Sequence, residues 1–391
     1  PYPFPRYAMS LGYFGGGMEH VMNSLIGYFY IRGDRSHETL WSHELAHQWW
    51  GDLVTLDTWR EIWLNEGFAV FYEYLYSEHK YGAESVRTRI AYIDSVYQAL
   101  PDSLDHPILN PPRQNPFTTV VYYKGARVLD MLRGVSRLRL MEGPPSVPET
   151  HLAAIQAADE RFRAIFTDYA SQYAYENVTT TDFQHVAENK LGENLDWFFD
   201  PWLGGEGFPT WWLDWRATPQ GSSTSIEVRV QQATTDATKY SMPILVRYRS
   251  ETDVLEEVRT VGSDARSWTV SLGSGNWTVE LDPEDWILDR TEERSLIPGI
   301  HGLHVSPNPS RTGFNFSGTL GGTDEVPSTL SVYDLAGRRV RFIDVGSLAP
   351  GPVSIAWDGR ADDGTVSAPG MYFARLSFGA SSATARLVLL P

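Results

Sequence analysis

His43-Glu44-Leu45-Ala46-His47 runs into Gln48-Trp49-Trp50-Gly51, and 18 residues separate His47 from the glutamate of Asn65-Glu66-Gly67. Histidines four apart lie one helical turn above each other on the same face, so both imidazoles can reach one cation. Zinc accepts such nitrogens at about 2.0–2.1 Å and wants a third protein ligand, with the fourth position left to water. The gap to Glu66 allows a turn between two helices and returns a carboxylate to the ion. Glu44 then sits beside the water and is placed to take its proton. The five-residue pattern by itself also occurs on solvated helices; the second motif at this distance is what sets it apart. One zinc ion per chain is expected, held by His43, His47 and Glu66.

Outward from that stretch, the local signals are consistent with two helices. Ser36 reads as the cap of the first, over 36–50, and Gly51 as its end. Thr58 and Glu61 have capping-box spacing and open the second, which runs to about Tyr81 before Gly82. Residues 1–31 carry aromatic and β-branched residues broken by Gly15, Gly16 and Gly17, a pattern of strands with a tight glycine-bearing edge. Metal-bound histidines usually donate their other N–H to a carboxylate or carbonyl. Glu73 and Asp52 are the candidates, each equally readable as a surface acid.

From about Gly125 to Leu203 the period stays helical. Val128, Leu129 and Leu132 form one stripe, and Phe162, Ile165, Phe166 and Tyr169 another. Residues 143–148 (Gly-Pro-Pro-Ser-Val-Pro) read as a loop between them. Glycines at 204, 205 and 207 mark a boundary. Beyond it Ile226, Val228 and Val230, and then Trp268, Val270 and Leu272, alternate with polar residues, which predicts a β-sandwich over about 208–293. Pro298-Gly299 and Pro307-Asn308-Pro309 introduce a further all-β unit that reaches the C-terminus.

The 391 residues are too many for one ordinary core. A formal net charge of −17 repels phosphates and anionic lipid, which argues against nucleic acid and membrane-surface partners. No apolar run approaches the roughly 20 residues of a membrane span. The absence of cysteine removes disulfides, thiolate metal sites and cysteine nucleophiles together. The chain begins at Pro1 without a signal peptide, from which an upstream segment is expected.

With the paired histidines, the 18-residue spacer and Asn65-Glu66-Gly67 in view, the chain resembles the aminopeptidase N family of gluzincin metallopeptidases. Gly16-Gly17-Met18-Glu19-His20 is similar to that family's Gly-x-Met-Glu-Asn exopeptidase motif, and Tyr122-Tyr123-Lys124-Gly125 to its Tyr-x-Lys-Gly segment. The resemblance implies a multidomain α+β chain. It implies a thermolysin-like zinc peptidase catalytic domain with a mostly helical second lobe over 1–206, and the alternating patterns beyond it add two expected β-sandwich domains at 207–295 and 296–391. It implies that Glu19 binds the free α-amino group of a peptide substrate. It also implies that Gly16, Gly17 and Met18 offer the substrate a strand edge, and that Tyr122, with Tyr123 as its rival, stabilises the oxyanion. The sequence departs from the family at His20, where Asn is usual, and lacks the family's preceding β-domain and long helical C-terminal domain. Residues 134–158 fit the family poorly.

Tyr333-Asp334-Leu335-Ala336-Gly337-Arg338, Trp357-Asp358-Gly359-Arg360 and Gly370-Met371-Tyr372-Phe373 resemble an immunoglobulin-like module of flagellar hook-capping and secretion-sorting type. That implies a secreted or envelope-associated bacterial protein with secretion machinery as a partner; a plain spacer sandwich is the alternative. For the activity, the alternatives to an aminopeptidase are a zinc endopeptidase on the same core, an epoxide hydrolase, or an inert surface scaffold or adhesin.

Overall fold

The structure is a computed structural model describing residues 1–233, 236–294, 299–322 and 325–391. The chain divides into two compact units, one formed by Pro1–Pro209, Asp236–Ser263 and Gly275–Arg290, the other by Thr210–Thr235, Asp264–Ser274 and Thr291–Pro391. The segment 207–295 therefore contributes to both, and the Pro298 side of the expected break lies outside the described residues.

In the first unit, β1 (Ala8–Gly12), β2 (Gly17–Met18) and β3 (Asn23–Gly27) form a small sheet in the order β1-β3-β2. Among the described residues β2 pairs with β3 alone, Gly17 opposite Ile26 and Met18 opposite Leu25, so its outer edge has no strand partner there. α1 (Glu38–Ala46) follows, then β4 (Thr55–Leu56), then α2 (Trp63–Tyr81). Both helices start later than the sequence signals predict. Ser36 does not cap α1, because its hydroxyl and backbone N–H are taken by Asp34 Oδ1 at 2.6 and 2.9 Å. No capping box forms at Thr58: a 3₁₀ turn covers 59–61, and the Glu61 carboxylate accepts instead from Thr180 N. Gly82, at φ +86°, ends α2 as expected.

α2 is buried nearly all round its first half, from Trp63 to Phe71, as suits a central helix. Around it lie α3 (Ala83–Gln98), α4 (Gly125–Leu140), α5 (Leu152–Gln172), α6 (Thr180–Leu191) and α7 (Asp196–Gly204), with β5 (Asn177–Val178) parallel to β4. The stripe Phe162, Ile165, Phe166 and Tyr169 is buried as predicted. Phe68 meets Phe166 and Phe183 edge to face, with Phe68 and Phe183 centroids 4.9 Å apart. The proline-rich loop at 143–148 docks on the strand that carries Glu256: Ser146 N–H donates to Glu256 O at 2.9 Å and Glu256 N–H to Ser146 O at 2.7 Å. That segment belongs to a sheet of β8 (Met242–Arg249), β9 (Val254–Val261) and β11 (Thr278–Leu281), all within the first unit.

In the second unit β6 (Thr210–Gln220), β7 (Ser223–Gln232), β10 (Arg266–Gly273) and β12 (Arg290–Glu293) form one sheet. Two more sheets follow. β13 (Gly299–Ser306), β14 (Phe314–Gly321) and β17 (Gly351–Trp357) face β15 (Val326–Asp334), β16 (Arg339–Leu348), β18 (Gly370–Phe378) and β19 (Ser381–Leu389) across one core. That core gathers Phe316 and Trp357 from the one sheet with Leu330, Val332 and Leu376 from the other. It is the sandwich expected of the C-terminal segment.

Candidate metal centre and active site

α1 projects His43 and His47 from one face, and the first turn of α2 brings Glu66 against them. His43 Nε2 and His47 Nε2 are 3.1 Å apart, and Glu66 Oε2 stands 3.3 and 3.4 Å from them. The opposite ring nitrogens are committed elsewhere. His43 Nδ1 lies 3.0 Å from Glu73 Oε1 and His47 Nδ1 2.9 Å from Trp50 O. A carboxylate and a carbonyl can only accept, so in the neutral rings the protons sit on Nδ1 and the Nε2 lone pairs face each other and Glu66. Glu66 Oε2 is buried and has no hydrogen-bond donor of regular geometry. In the neutral rings three electron-rich atoms thus converge, at the roughly 3.3–3.4 Å edge of a tetrahedron around zinc. The donor set and the orphaned oxygen fit that ion.

The local field also favours positive charge. Burial opposes it, yet Glu66 and Glu73 raise His43 to about 10, and Glu66 raises His47 as well. Burial likewise opposes charge on Glu66, but the two histidines bring its carboxyl down to about 2. Of the two acids expected to orient a ligand, Glu73 does so and hands its other oxygen to Arg89 Nη2 at 2.7 Å. Asp52 does not. Its carboxylate accepts from Gln48 Nε2 at 2.7 Å, while Trp50 O, one turn after His47, takes the His47 proton. Burial, with the Glu19 charge, pushes the Asp52 carboxyl up to about 7.

These residues line a cavity of about 660 Å³ that also receives Gly17, Met18, Glu19, Glu44 and Tyr122. Glu44 is almost fully buried, and burial, with smaller contributions from Glu19 and Glu66 against the two histidines, lifts its carboxyl to about 7. Gly17 passes so close that a Cβ there would fall 2.2 Å from Glu44 Oε1, so no side chain fits between strand and carboxylate. Gly16, expected at the substrate edge, is outside the lining; its carbonyl accepts from Gly27 N–H at 2.9 Å and its φ of +92° suits a glycine. Ligating atoms of Glu19, Glu44 and His47 all lie within 4.8 Å of one another. His20 is exposed and outside the cavity, so the departure from Asn leaves the lining unchanged.

Tyr122 and Tyr123 part company here. Tyr122 lies in a single π-helical turn, Val120–Lys124, and stacks on the His43 ring at 6.1 Å and 10°. Burial, then the Glu66 charge and a hydrogen bond to it, raise the Tyr122 phenol far above its ordinary value. Tyr123 does not line the cavity; its neighbours are Arg89, Tyr92 and Glu73. The glycines of the two motifs explain how Tyr122 arrives. A Cβ on Gly67 would lie 3.0 Å from the Gly125 carbonyl carbon and one on Gly125 3.3 Å from Gly67 Cα, so α2 and α4 touch backbone to backbone.

Sequence reasoning missed Gln48, Arg89 and the aromatic wall of Trp59 and Phe117, whose rings meet edge to face at 5.9 Å. Gln48 had one signal, a polar residue following the second histidine on a buried helix end.

Residues 1–138 match the peptidase family M1 domain, and residues 310–381 the FlgD Ig-like domain. Aminopeptidase M1-D of Oryza sativa subsp. japonica is 31% identical over 230 residues, 54% of this chain and 24% of that protein. Glutamyl aminopeptidase of Sus scrofa is 29% identical over 175 residues, 43% of this chain and 16% of that protein. The crystal structure of Legionella pneumophila aminopeptidase A in complex with aspartic acid shares the fold at a TM-score of 0.53 and 17% identity, over 73% of this chain and 31% of that one. The chain thus spans a quarter or less of the length of these curated relatives. It carries a peptidase family M1 domain at its N-terminal end and a FlgD Ig-like domain at its C-terminal end.

Proposed function

We propose that the chain is a zinc aminopeptidase, removing N-terminal residues from peptides, with His43, His47 and Glu66 as ligands. The observation that carries this is the convergence of those three donor atoms, 3.1–3.4 Å apart, on a cavity that also presents Glu19, Glu44 and Tyr122. Bound there, zinc supplies Lewis acidity that polarises a carbonyl and acidifies water. Glu44, poised near neutrality, takes the proton of the attacking water and returns it to the leaving amine as the C–N bond breaks. Tyr122 stays protonated and donates its O–H to the oxyanion that develops on the scissile carbonyl. Glu19 pairs with the α-ammonium of the substrate through a charge-assisted hydrogen bond, and the free edge of β2 receives its backbone as an added strand. Together these restrict cleavage to the first peptide bond.

The test is turnover of aminoacyl-anilides beside their N-acetylated forms, with zinc content measured on the same protein. We expect cleavage of the free-amino substrates alone, and a Glu44→Gln variant that keeps its zinc and loses roughly 10²–10⁴ in kcat. Equal cleavage of acetylated peptides would make it an endopeptidase, and a zinc-loaded protein without turnover would make it a scaffold.

For the C-terminal module we propose export to the cell envelope or exterior through secretion machinery, supported by its likeness to the FlgD Ig-like domain. We likewise keep 1–206, 207–295 and 296–391 as the functional division of the chain. Deleting residues 299–391 should leave the protein inside the producing cell; unchanged export would overturn the sorting role.

A further inference from the structure

Gln48 has no measurable exposure, yet its side-chain amide is fully engaged. Its Oε1 accepts from Met22 N–H at 2.7 Å and from the Tyr2 hydroxyl at 2.9 Å. Its Nε2 donates to Glu19 O at 2.9 Å, His20 O at 3.2 Å and Asp52 Oδ2 at 2.7 Å. Two N–H bonds shared among three acceptors leave no spare capacity on either end of the amide. The loop it grips, residues 19–22, holds Met22 at φ +62°, a backbone state disfavoured for a side chain of that size. The loop is closed further by Asn23 N–H on His20 O at 2.8 Å. Gln48 follows His47 directly at the end of α1, so one residue joins the helix of the metal ligands to the backbone carrying Glu19.

We infer that Gln48 is a positioning residue that fixes Glu19 relative to the metal centre, and so sets how strongly a free amino group is selected. The inference rests on the reading of Glu19 as the anchor of the substrate ammonium. The physical reason is reach. Glu19 is half-buried, and among the described residues its carboxylate has no hydrogen-bond partner, so its place depends on its backbone. Removing the amide that grips this loop leaves Glu19 O and Met22 N–H without their Gln48 partner and His20 O with Asn23 N–H alone, and the loop relaxes toward water. A displacement of about 1 Å is enough to weaken a charge-assisted hydrogen bond at the reacting end. The zinc ligands, held by Glu73 and Trp50 O instead, are outside this network.

The experiment compares leucine hydroxamate with 4-methylpentanoyl hydroxamate, its analogue lacking the amine, as ligands of the zinc-loaded full-length chain. Their Kd ratio reads the amine preference without requiring turnover. For Gln48→Met, near-isosteric but unable to make these bonds, we expect one zinc retained and the Kd of the amine-free ligand within twofold of the unsubstituted chain. The Kd of leucine hydroxamate should rise at least tenfold, with KM for an aminoacyl-anilide rising more than kcat falls. Should that variant fold poorly, Tyr2→Phe removes one contact from the rim and should lower the preference two- to threefold. Retention of the full preference in a folded Gln48→Met protein, or an equal loss for both ligands, overturns the clamp and leaves the aminopeptidase reading standing. No amine preference in the unsubstituted chain overturns both.

Discussion

At the scale of single residues, the site is organised by what each group can only do. Because Glu73 and Trp50 O can only accept, the two imidazoles turn their lone pairs inward. Replacing Glu73 with alanine removes the acceptor that holds the His43 ring and frees Arg89. Zinc affinity should fall about 10–100-fold, read by competition with a chromogenic chelator, whereas an unchanged affinity would deny Glu73 that orienting role. Lys124 offers a second residue-scale test, outside the cavity lining. Its Nζ donates to Gly205 O at 2.8 Å, and burial pushes the ammonium down to about 8. The unfolded chain, with a lysine near 10.4, binds more protons between those two values. Stability contributed by this group therefore rises as pH climbs from about 8 to 10.4 and is flat below. Relative to Lys124→Met, the unfolding free energy should gain up to about 3 kcal/mol across that window in denaturant titrations. A constant difference would show that the buried ammonium is not depressed.

Among elements, the decisive contact is between α2 and α4. Gly67 and Gly125 let two helix backbones meet where any side chain would hold them apart, and that approach sets Tyr122 beside Glu66 and His43. For Gly67→Ala we expect about 1–3 kcal/mol lost in thermal or chemical unfolding, the usual cost of overpacking. Turnover should suffer in kcat more than in KM, since the displaced phenol acts on the oxyanion; a stable, fully active variant would break the link. The ligand motifs were legible because zinc imposes a spacing that survives in one dimension. Glycines such as Gly67 and Gly125 were visible only as motif letters, because each is explained by the other across 58 positions. One helix start failed for a similar reason. Glu61 had Thr180, 119 positions away, as a competing partner, whereas Ser36 lost its cap to a local one, the Asx-type bond to Asp34 two residues before it. Tyr122 over Tyr123 was readable from motif register. Gln48 was not, because its partners lie on a loop near the start of the chain and its own spacing carries no period.

For the whole molecule, the two cores are chemically unlike. One is aromatic and helical around α2, the other a β-sandwich centred on Phe316, Leu330, Val332 and Trp357. Ligand binding stabilises only the structure that contains the site. Scanning calorimetry should therefore show two transitions. Zinc should raise one by several degrees, a chelator should lower the same one, and the other should stay fixed. A single transition that moves as one with zinc would mean that the units unfold together. Alternation along 226–230 and 268–272 was enough to announce strands. How the strands of 207–295 divide between units was hidden, because a period of two reports which face is apolar and not what covers it.

The tight fit of Gly17 against Glu44 has a consequence for how such a chain can diversify. The backbone rail along which a peptide would lie doubles as the ceiling over the proton acceptor, with no volume left for even a methyl group. A side chain at that position would require Glu44 to shift, so a new preference for one substrate side chain over another is more readily built elsewhere in the lining, where Trp59 and Phe117 stand exposed.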